Sequence, residues 1–483
     1  MSDLMQSENV PPSSAFERFN RWIEESIMIK LFSIGFLVLL LLLPASWIQD
    51  LMYERESRAE SVIQEVSSKW SGSQTLAGPI LVIPYIVKEK IDRGKDGIEI
   101  TEHTEQYFFL PERLSITGNI TPDVLHRGIF DAVVYTSDLT ISSDFKLPDF
   151  EKLKIVSENV LWKDAYMIFP VTDLRGISDS LVFNVGDSEK TTEPSNNLGV
   201  SVKKVSRLNP DLYVSSENSE YAEHSSSGVV ANLDWKTAAD FNGKTLVHLI
   251  LKGSERLNFV PTGKTTEVKI GGTWNNPSFD GEFLPETREV TDSSFNATWK
   301  ILHYNRPFSQ QWKTSDEKLS GSDFGVKLIL PVDQYQKSIR TSKYGQLIII
   351  LTFMSLFLVE ITRKVRIHPF QYILIGAALI IYYTLLLSFS EQIGYNAAYA
   401  VASISTVVLV SLYSMSFLKE KSLVALFSSL LGVFYTFIFV IILQQDFSLI
   451  IGSIGLFLIV GALMYFSRKV SWYKENKIGA TQS

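Results

Sequence analysis

Two sets of side chains in this sequence are of types that bind ligands. The first set combines large aromatic rings with amide and guanidinium groups, at Trp274, Phe279, Trp299, Asn305, Arg306 and Trp312. Flat rings stack on sugars and peptide groups, while Asn and Arg supply hydrogen bonds. Core aromatics followed by turn residues would give the same pattern. We therefore predict either a sugar- or peptide-binding face or a structural cluster here.

The second set consists of polar side chains next to a very apolar stretch. Its members are His368, Gln371, Ser388 and Glu391. These groups could line a small polar site in a membrane region. They could equally cap a helix and anchor it at the membrane interface. Both interpretations stay open on the sequence alone.

Little in the sequence supports a chemical reaction. The chain has no Cys, which excludes disulfides, Cys-based zinc sites, iron–sulfur clusters and thiol nucleophiles. Its six His stand far apart, and no nucleotide-binding loop, hydrolase motif or metalloprotease motif occurs. The carboxylates of Asp280 and Glu282, two apart on a predicted strand, could serve an envelope glycan or peptide hydrolase or transferase as acid and base. We predict no catalytic residue, no cofactor and no metal ligand, and an enzyme remains an open alternative.

Six apolar segments organise the chain. Residues 31–49 carry no charge and are long enough to cross a hydrocarbon core of about 30 Å. Because the apolar core of a signal peptide has only about 7–15 residues, we interpret this segment as an uncleaved anchor. Five further segments follow in quick succession, at 347–361, 370–389, 397–418, 423–443 and 447–466.

Positive charge predicts the orientation of these segments. If all six cross the membrane, every Lys and Arg outside residues 50–343 falls on one side. Cationic loops are retained in the cytoplasm, so we expect both termini there and residues 50–343 in the periplasm. The predicted domains are a cytoplasmic N-terminal segment 1–30, an anchor helix 31–49, a periplasmic domain 50–343, a five-helix transmembrane region 344–467 and a cytoplasmic tail 468–483.

The large central domain shows the alternation of apolar and polar residues that is typical of strands. Residues 80–87 and 98–110 flank a turn-rich stretch and predict a hairpin. Residues 245–251 and 265–270 predict a second strand pair, and 54–70 predict a helix. We expect a mostly β domain with a sandwich-like or twin-sheet body.

The fold class is therefore an α+β membrane protein. A mostly β extracytoplasmic domain is inserted between one N-terminal transmembrane helix and a C-terminal five-helix bundle. That domain holds more Asp and Glu than Lys and Arg, which argues against a nucleic-acid partner. The expected partners are the lipid bilayer and an envelope protein or cell-wall component.

Four strings of residues are specific enough to suggest a family: NRPF at 305–308, HPFQY at 368–372, LLLSFSE at 385–391 and GYNAAY at 394–399. They resemble the CreD family of bacterial inner-membrane proteins. The resemblance covers nearly the whole chain and is strongest from Trp274 to Trp472. It implies a link to envelope integrity, to a two-component stress response and to altered tolerance of β-lactams and colicins, with no assigned reaction.

Three functional hypotheses follow. The first is a non-enzymatic envelope-integrity and stress-response protein whose periplasmic domain binds or senses an envelope component or a partner protein. The alternative is a permease-like protein that moves a small or lipid-linked molecule through the helices. The third is the envelope hydrolase or transferase already mentioned.

Overall fold

The computed structural model describes residues 27–92, 98–203, 224–313, 317–330, 334–363, 365–444 and 447–468. The chain divides into two compact units. The β unit is Ala59–Pro331, and the helical unit comprises the described residues of Met1–Arg58 and Val332–Ser483. Residues 334–343, predicted to close the β domain, instead form a helix that packs in the core of the helical unit through Ile339.

The helices in the described residues are α1 (Ile27–Trp70), α2 (Gln334–Lys343), α3 (Gly345–Arg363), α4 (Pro369–Ile393), α5 (Tyr395–Leu418), α6 (Lys421–Leu443) and α7 (Ser448–Ser467). Within this part of the chain, five helical segments are long and apolar enough to cross a membrane: α1, α2 with α3, α4, α5 and α6. In α7 the apolar stretch is the shorter Ile450–Ala462. One N-terminal and several C-terminal apolar helices confirm the predicted fold class. That α7 crosses the membrane as a sixth span stays a prediction.

Helix α1 is one continuous helix where the sequence predicted two elements, the anchor at 31–49 and a helix at 54–70. It runs for 44 residues, through the predicted anchor and the predicted helix after it, with Pro44 inside. Along its apolar half, large side chains such as Phe32 and Trp47 are 80% and 70% exposed. Apolar surface of this kind suits contact with lipid.

The described strands of the β unit are β1 (Gln74–Ala77), β2 (Ile80–Asp92), β3 (Ile98–Phe109), β4 (Arg113–Arg127), β5 (Phe130–Asp144), β6 (Tyr166–Pro170), β7 (Val182–Val185), β8 (Ser188–Thr191), β9 (Glu193–Ser195), β10 (Val200–Lys203), β11 (His224–Ser225), β12 (Gly228–Asn232), β13 (Lys244–Ser254), β14 (Arg256–Val260), β15 (Thr265–Gly272), β16 (Pro277–Gly281), β17 (Thr287–Val290), β18 (Phe295–Leu302), β19 (Gln311–Trp312), β20 (Glu317–Leu319) and β21 (Phe324–Leu328).

These strands form four sheets within the described residues. The largest has the order β17-β18-β15-β4-β5-β13-β7-β8, and the next has β19-β3-β2-β6-β12-β9. The smaller sheets have the orders β1-β14-β21-β16 and β11-β10-β20. Three pairs are parallel, namely β1 with β14, β10 with β20 and β4 with β15. The central part of the chain is thus mostly β, as predicted.

One predicted strand pair is confirmed and the other is wrong. Strands β2 and β3 pair antiparallel, from Leu81 opposite Phe109 to Asp92 opposite Ile98, and the predicted turn between them lies outside the described residues. Strands β13 and β15, predicted as neighbours, are separated in the sheet by β4 and β5. In the long β4–β5 hairpin, β5 pairs with β13 and β4 pairs with β15. Strand β14 lies between β13 and β15 in the chain but belongs to another sheet.

The two largest sheets share one hydrophobic core. Val247 and Leu249 of β13 point into it, and His248 between them faces outward. Leu81 of β2 enters the same core, whereas its neighbours Ile80 and Val82 enter a second cluster on the opposite face. A strand covered on both faces has a continuous apolar sequence, which explains the unbroken apolar start of β2.

The chain enters and leaves the β unit through the same small sheet. Strand β1 follows α1, β21 is the last strand before α2, and β14 lies between them.

A buried glutamine, Gln74, fixes the position at which the chain enters the β unit. Its Nε2 lies 2.8–3.1 Å from the hydroxyl of Ser71 and the carbonyl oxygens of Asp173 and Lys252. Its Oε1 accepts hydrogen bonds from the Thr172 hydroxyl and the Asp173 N–H.

Candidate functional site

A cleft of about 690 Å³ opens on the β unit. Aromatic rings form its floor: the Phe150 ring meets Phe109 at a centroid distance of 6.0 Å and Trp162 at 5.7 Å, both edge to face. Trp235 packs on Trp162 at 6.1 Å but is buried and does not line the cleft. Phe109 and Phe150 are buried while Trp162 is half-buried, so Trp162 is the ring of this group that a molecule in the cleft can contact.

Charged side chains of both signs line one wall of the cleft. The loop between β5 and β6 contributes Lys146, Asp149 and Lys152, all exposed. Lys152 Nζ lies 2.9 Å from the Asp149 carboxylate, and this hydrogen bond lowers the pKa of Asp149. Glu112 and Glu151 add negative charge. This wall can therefore meet an ammonium and a carboxylate on the same ligand.

Gln310 and Gln311 add amide side chains to the lining, called here the amide wall, and Arg306 holds Gln310 in place. Gln310 Nε2 donates to the carbonyl oxygens of Leu110 and Pro111, each at 2.9 Å. The Arg306 guanidinium, 7% exposed, donates to Gln310 Oε1 and to the Ser309 carbonyl oxygen. Burial lowers the pKa of Arg306 to about 10, which leaves it protonated at neutral pH. Arg306 is thus a positioning residue for the cleft.

The aromatic residues predicted as a binding face are not gathered on one surface. Trp299 is 1% exposed and donates its indole N–H to the Phe283 carbonyl oxygen at 3.1 Å. The Phe279 ring packs edge to face on Trp299 at 5.8 Å. Trp274 is half-buried and donates its indole N–H to the Ile329 carbonyl oxygen. These three rings belong to the large core or pack against it.

The remaining predicted residues lie near the amide wall. Trp312 in β19 is 8% exposed and stacks on Phe108 at 5.4 Å. Asn305 is exposed. Arg306 contacts Gln310 of the cleft lining, whereas Trp312 packs with Phe108 in a separate hydrophobic cluster. Neither points to a sugar-stacking role of its own, because both side chains are buried.

The polar residues predicted near the membrane occupy opposite ends of α4. His368 and Gln371 cap its start: the Phe370 N–H donates to His368 Nδ1, and the His368 N–H donates to Gln371 Oε1. At the other end, Ser388 is exposed and Glu391 accepts a hydrogen bond from the Tyr335 hydroxyl at 3.1 Å. Gln371 and Ser388 are about 26 Å apart along the helix axis. The two pairs are therefore not brought together.

A charged group inside the helical unit was missed by the sequence reasoning. Glu360 of α3 is 4% exposed, and its Oε1 lies 2.7 Å from Nζ of Lys30 in α1. Its other oxygen accepts a hydrogen bond from the Tyr372 hydroxyl at 3.1 Å. A carboxylate in an apolar environment needs such partners. The one sequence signal for this site was a charged residue, Glu360, near the end of an apolar segment. No local pattern identified Lys30 as its partner.

The groups considered for catalysis do not form a site. Asp280 pairs with Arg256 at 2.7 Å, and Glu282 follows the end of β16, exposed. His126 and His248 form exposed pairs with Asp131 and Asp138. In the described parts of the chain, no group of three or more His, Asp or Glu is arranged to hold a metal ion.

Comparison with known proteins identifies the family. The family model for the inner membrane protein CreD matches residues 26–473. The inner membrane protein CreD of Escherichia coli (strain K12) is 29% identical over 465 residues, which is 93% of this chain and 95% of that protein. The match includes both the β unit and the apolar helices, as the resemblance of the sequence motifs implied. The chain therefore belongs to the CreD family of inner membrane proteins.

Proposed function

We propose that this inner membrane protein holds its β unit in the periplasm and binds an envelope peptide or glycan in the cleft. In this role it serves envelope integrity and the envelope stress response as a binding or sensing protein rather than as an enzyme. The observation that carries the proposal is the make-up of the cleft. Its lining combines aromatic rings, the amides of Gln310 and Gln311, and charged side chains of both signs.

Each surface of the cleft fits part of such a ligand. The half-buried ring of Trp162 offers stacking surface to sugar rings or peptide planes. Gln310 and Gln311 carry amides that both donate and accept hydrogen bonds. Lys146 and Glu151 offer partners to a free carboxylate and a free amine. The volume of about 690 Å³ is in the range of small-molecule sites, so a short oligomer can be held.

The orientation rests on the sorting of Lys and Arg, and it can be tested because the chain has no Cys. A single Cys is placed at Lys236, which is exposed in the β unit, or at Ser422, which is exposed at the start of α6. A membrane-impermeant maleimide is added to spheroplasts. We expect labelling at position 236 and none at position 422 until the cells are lysed. The opposite pattern would place the β unit in the cytoplasm.

Binding is tested with full-length protein in lipid nanodiscs. The probe is the mixture of disaccharide-peptides that a muramidase releases from peptidoglycan. We expect saturable quenching of tryptophan fluorescence, because Trp162 lies in the floor. The double variant Lys146→Ala with Gln311→Ala changes only exposed cleft residues and should weaken binding about tenfold or more. Asn305→Ala, exposed but outside the cleft, is the matched control.

A protein partner is distinguished by crosslinking at the same place. A photoreactive residue at Ser157, exposed on the rim of the cleft, should capture glycan-derived fragments in cells. Capture of one envelope protein, together with no binding of the disaccharide-peptides, would assign the cleft to that protein. No capture and no binding would remove the proposal.

A further inference from the structure

Five of the tyrosines buried inside the helical unit form one group, although tyrosine in membrane proteins is enriched at the interface. Their exposed fractions are 0–3%, and they are Tyr382, Tyr383, Tyr395, Tyr399 and Tyr435. The Tyr382 ring is central, with centroids 4.8 Å from Tyr383, 5.9 Å from Tyr399 and 4.7 Å from Tyr435. Helices α4, α5 and α6 thus converge on one aromatic group, named here the tyrosine cluster.

Two of these hydroxyls have protein partners. Tyr399 donates to the carbonyl oxygen of Tyr435 at 2.7 Å. Tyr395 lies 2.6 Å from the hydroxyl of Thr341, which donates to the Lys337 carbonyl oxygen. Since a hydroxyl has one hydrogen, Tyr395 is the donor to Thr341. The hydroxyls of Tyr395 and Tyr399 are therefore satisfied by protein atoms.

The other three phenols have no such partner. Within the described residues, the hydroxyls of Tyr382, Tyr383 and Tyr435 are buried and make no hydrogen bond to protein. In an apolar environment an unsatisfied hydroxyl costs free energy, and water is the usual partner of orphaned buried groups. The Tyr383 phenol packs directly against Gly345. A Cβ atom added at Gly345 would lie only 2.9 Å from the phenol oxygen.

Ser403 points to the same region. A serine in a helix usually bonds back to the carbonyl oxygen four residues earlier, as Ser411 and Ser414 of α5 do. Ser403, also in α5 and 8% exposed, makes no hydrogen bond within the described part of the chain. Ser403 lies one helical turn after Tyr399 on the buried face of α5. A fourth orphaned hydroxyl therefore lies next to the cluster.

We propose that the tyrosine cluster and Ser403 form an uncharged polar site inside the helix bundle, and that this site binds water. The hydroxyls run inward from Tyr395, at the start of α5, to Ser403, about 12 Å deeper along the helix. Water is small enough for a group of closely packed rings, and each molecule can accept from one phenol and donate to the next. The site takes neutral hydrogen-bonding molecules rather than ions, because its lining hydroxyls carry no charge.

The first test needs no variant. Full-length protein in nanodiscs is exposed to brief synchrotron X-ray pulses, which make hydroxyl radicals from bound water and oxidise adjacent side chains. We expect Tyr382, Tyr383 and Tyr435 to be oxidised about fivefold or more faster than Phe353 and Phe357, which are equally buried. Equal, low oxidation of all five rings would show a dry cluster and overturn the proposal.

The second test compares single hydroxyl deletions by thermal unfolding. Tyr382→Phe and Tyr435→Phe should lower the unfolding midpoint, since each removes a hydrogen bond to water. If the cluster is dry, losing an unpartnered hydroxyl leaves the midpoint unchanged or raises it, and the proposal fails. Tyr399→Phe loses a direct bond to the Tyr435 carbonyl oxygen in either case, and its lower midpoint shows that the assay detects one lost bond.

Discussion

Lys30 and Glu360 are 330 positions apart in the chain, yet Nζ and Oε1 of the two side chains are 2.7 Å apart. The pair joins α1, the first helix of the chain, to α3 in the C-terminal set. Glu360 is nearly inaccessible, whereas Lys30 is 31% exposed. Tyr372 adds a hydrogen bond to the second carboxylate oxygen, so the charge of Glu360 is fully partnered.

Removing one partner of this pair should destabilise the helical unit. Lys30→Met leaves a buried carboxylate without its cation, and we expect a loss of about 1–3 kcal/mol in the free energy of unfolding, less than for a fully buried pair because Lys30 is partly exposed. The double variant with Glu360→Gln should regain most of that loss. Unfolding in mixed detergent micelles measures both.

Lys69→Met provides the control for that experiment. Lys69 pairs with Glu65 on the exposed surface of α1, and its removal should cost no more than about 0.5 kcal/mol. Equal losses for Lys30→Met and Lys69→Met would contradict a special role for the buried pair.

Gln74 should be essential for the start of the β unit. Gln74→Leu keeps the volume but removes the buried donor to the Lys252 carbonyl oxygen and the acceptor of the Asp173 N–H. The Asp173 carbonyl oxygen keeps only its bond from the Gly176 N–H. We expect a loss of about 2–4 kcal/mol and faster cleavage near Ser71 in limited proteolysis. Asn305→Ala, at an exposed position, should leave the cleavage pattern unchanged, and an unchanged pattern for Gln74→Leu would refute the prediction.

Asp173 should make stability depend on acid pH. Burial acts to raise its pKa, but hydrogen bonds from the Arg175 side chain and from the N–H groups of Gly72 and Arg175 outweigh it, and the pKa falls to about 2. Because the folded pKa lies below the unfolded one, the stabilisation is present above about pH 4 and is lost as the pH falls through 2. The shift corresponds to about 2 kcal/mol.

Comparison of the wild type with Asp173→Asn checks this dependence. The difference in unfolding free energy should be constant from pH 7 to about pH 4 and should shrink toward pH 2, where protonated Asp resembles Asn. Asp164→Asn, at an exposed position, is the control. A difference between wild type and Asp173→Asn that does not change with pH would show that the carboxylate charge is not responsible.

Arg306→Lys should disturb the amide wall without unfolding the β unit. Lysine cannot reproduce the fork that reaches both Gln310 and the nearby carbonyl oxygens. We expect about 1–3 kcal/mol of destabilisation and faster tryptic cleavage at Lys313, with weaker binding of disaccharide-peptides. Unaltered cleavage and binding would mean that the wall is held by β19 alone.

Features with a local cause were predictable from the sequence. The apolar helices follow from the lengths of uncharged segments, and the β2–β3 hairpin follows from two strand patterns around one turn. The β13–β15 pairing failed because strand neighbours depend on the whole sheet, and the β4–β5 hairpin supplied better partners to both strands. Periodicity identifies a strand but says nothing about which distant strand it meets.

The sites depended on the tertiary structure for the same reason. Sequence determined that Trp299 is a large aromatic and that Arg306 is a cation, but only packing decided that one lies in the core and the other holds a wall. Lys30 and Glu360 meet because two helices pack side by side, which no local pattern encodes. The amino-acid sequence by itself thus determined which segments suit lipid and which form strands, since both depend on neighbouring residues. Long-range contacts decided where the polar groups converge.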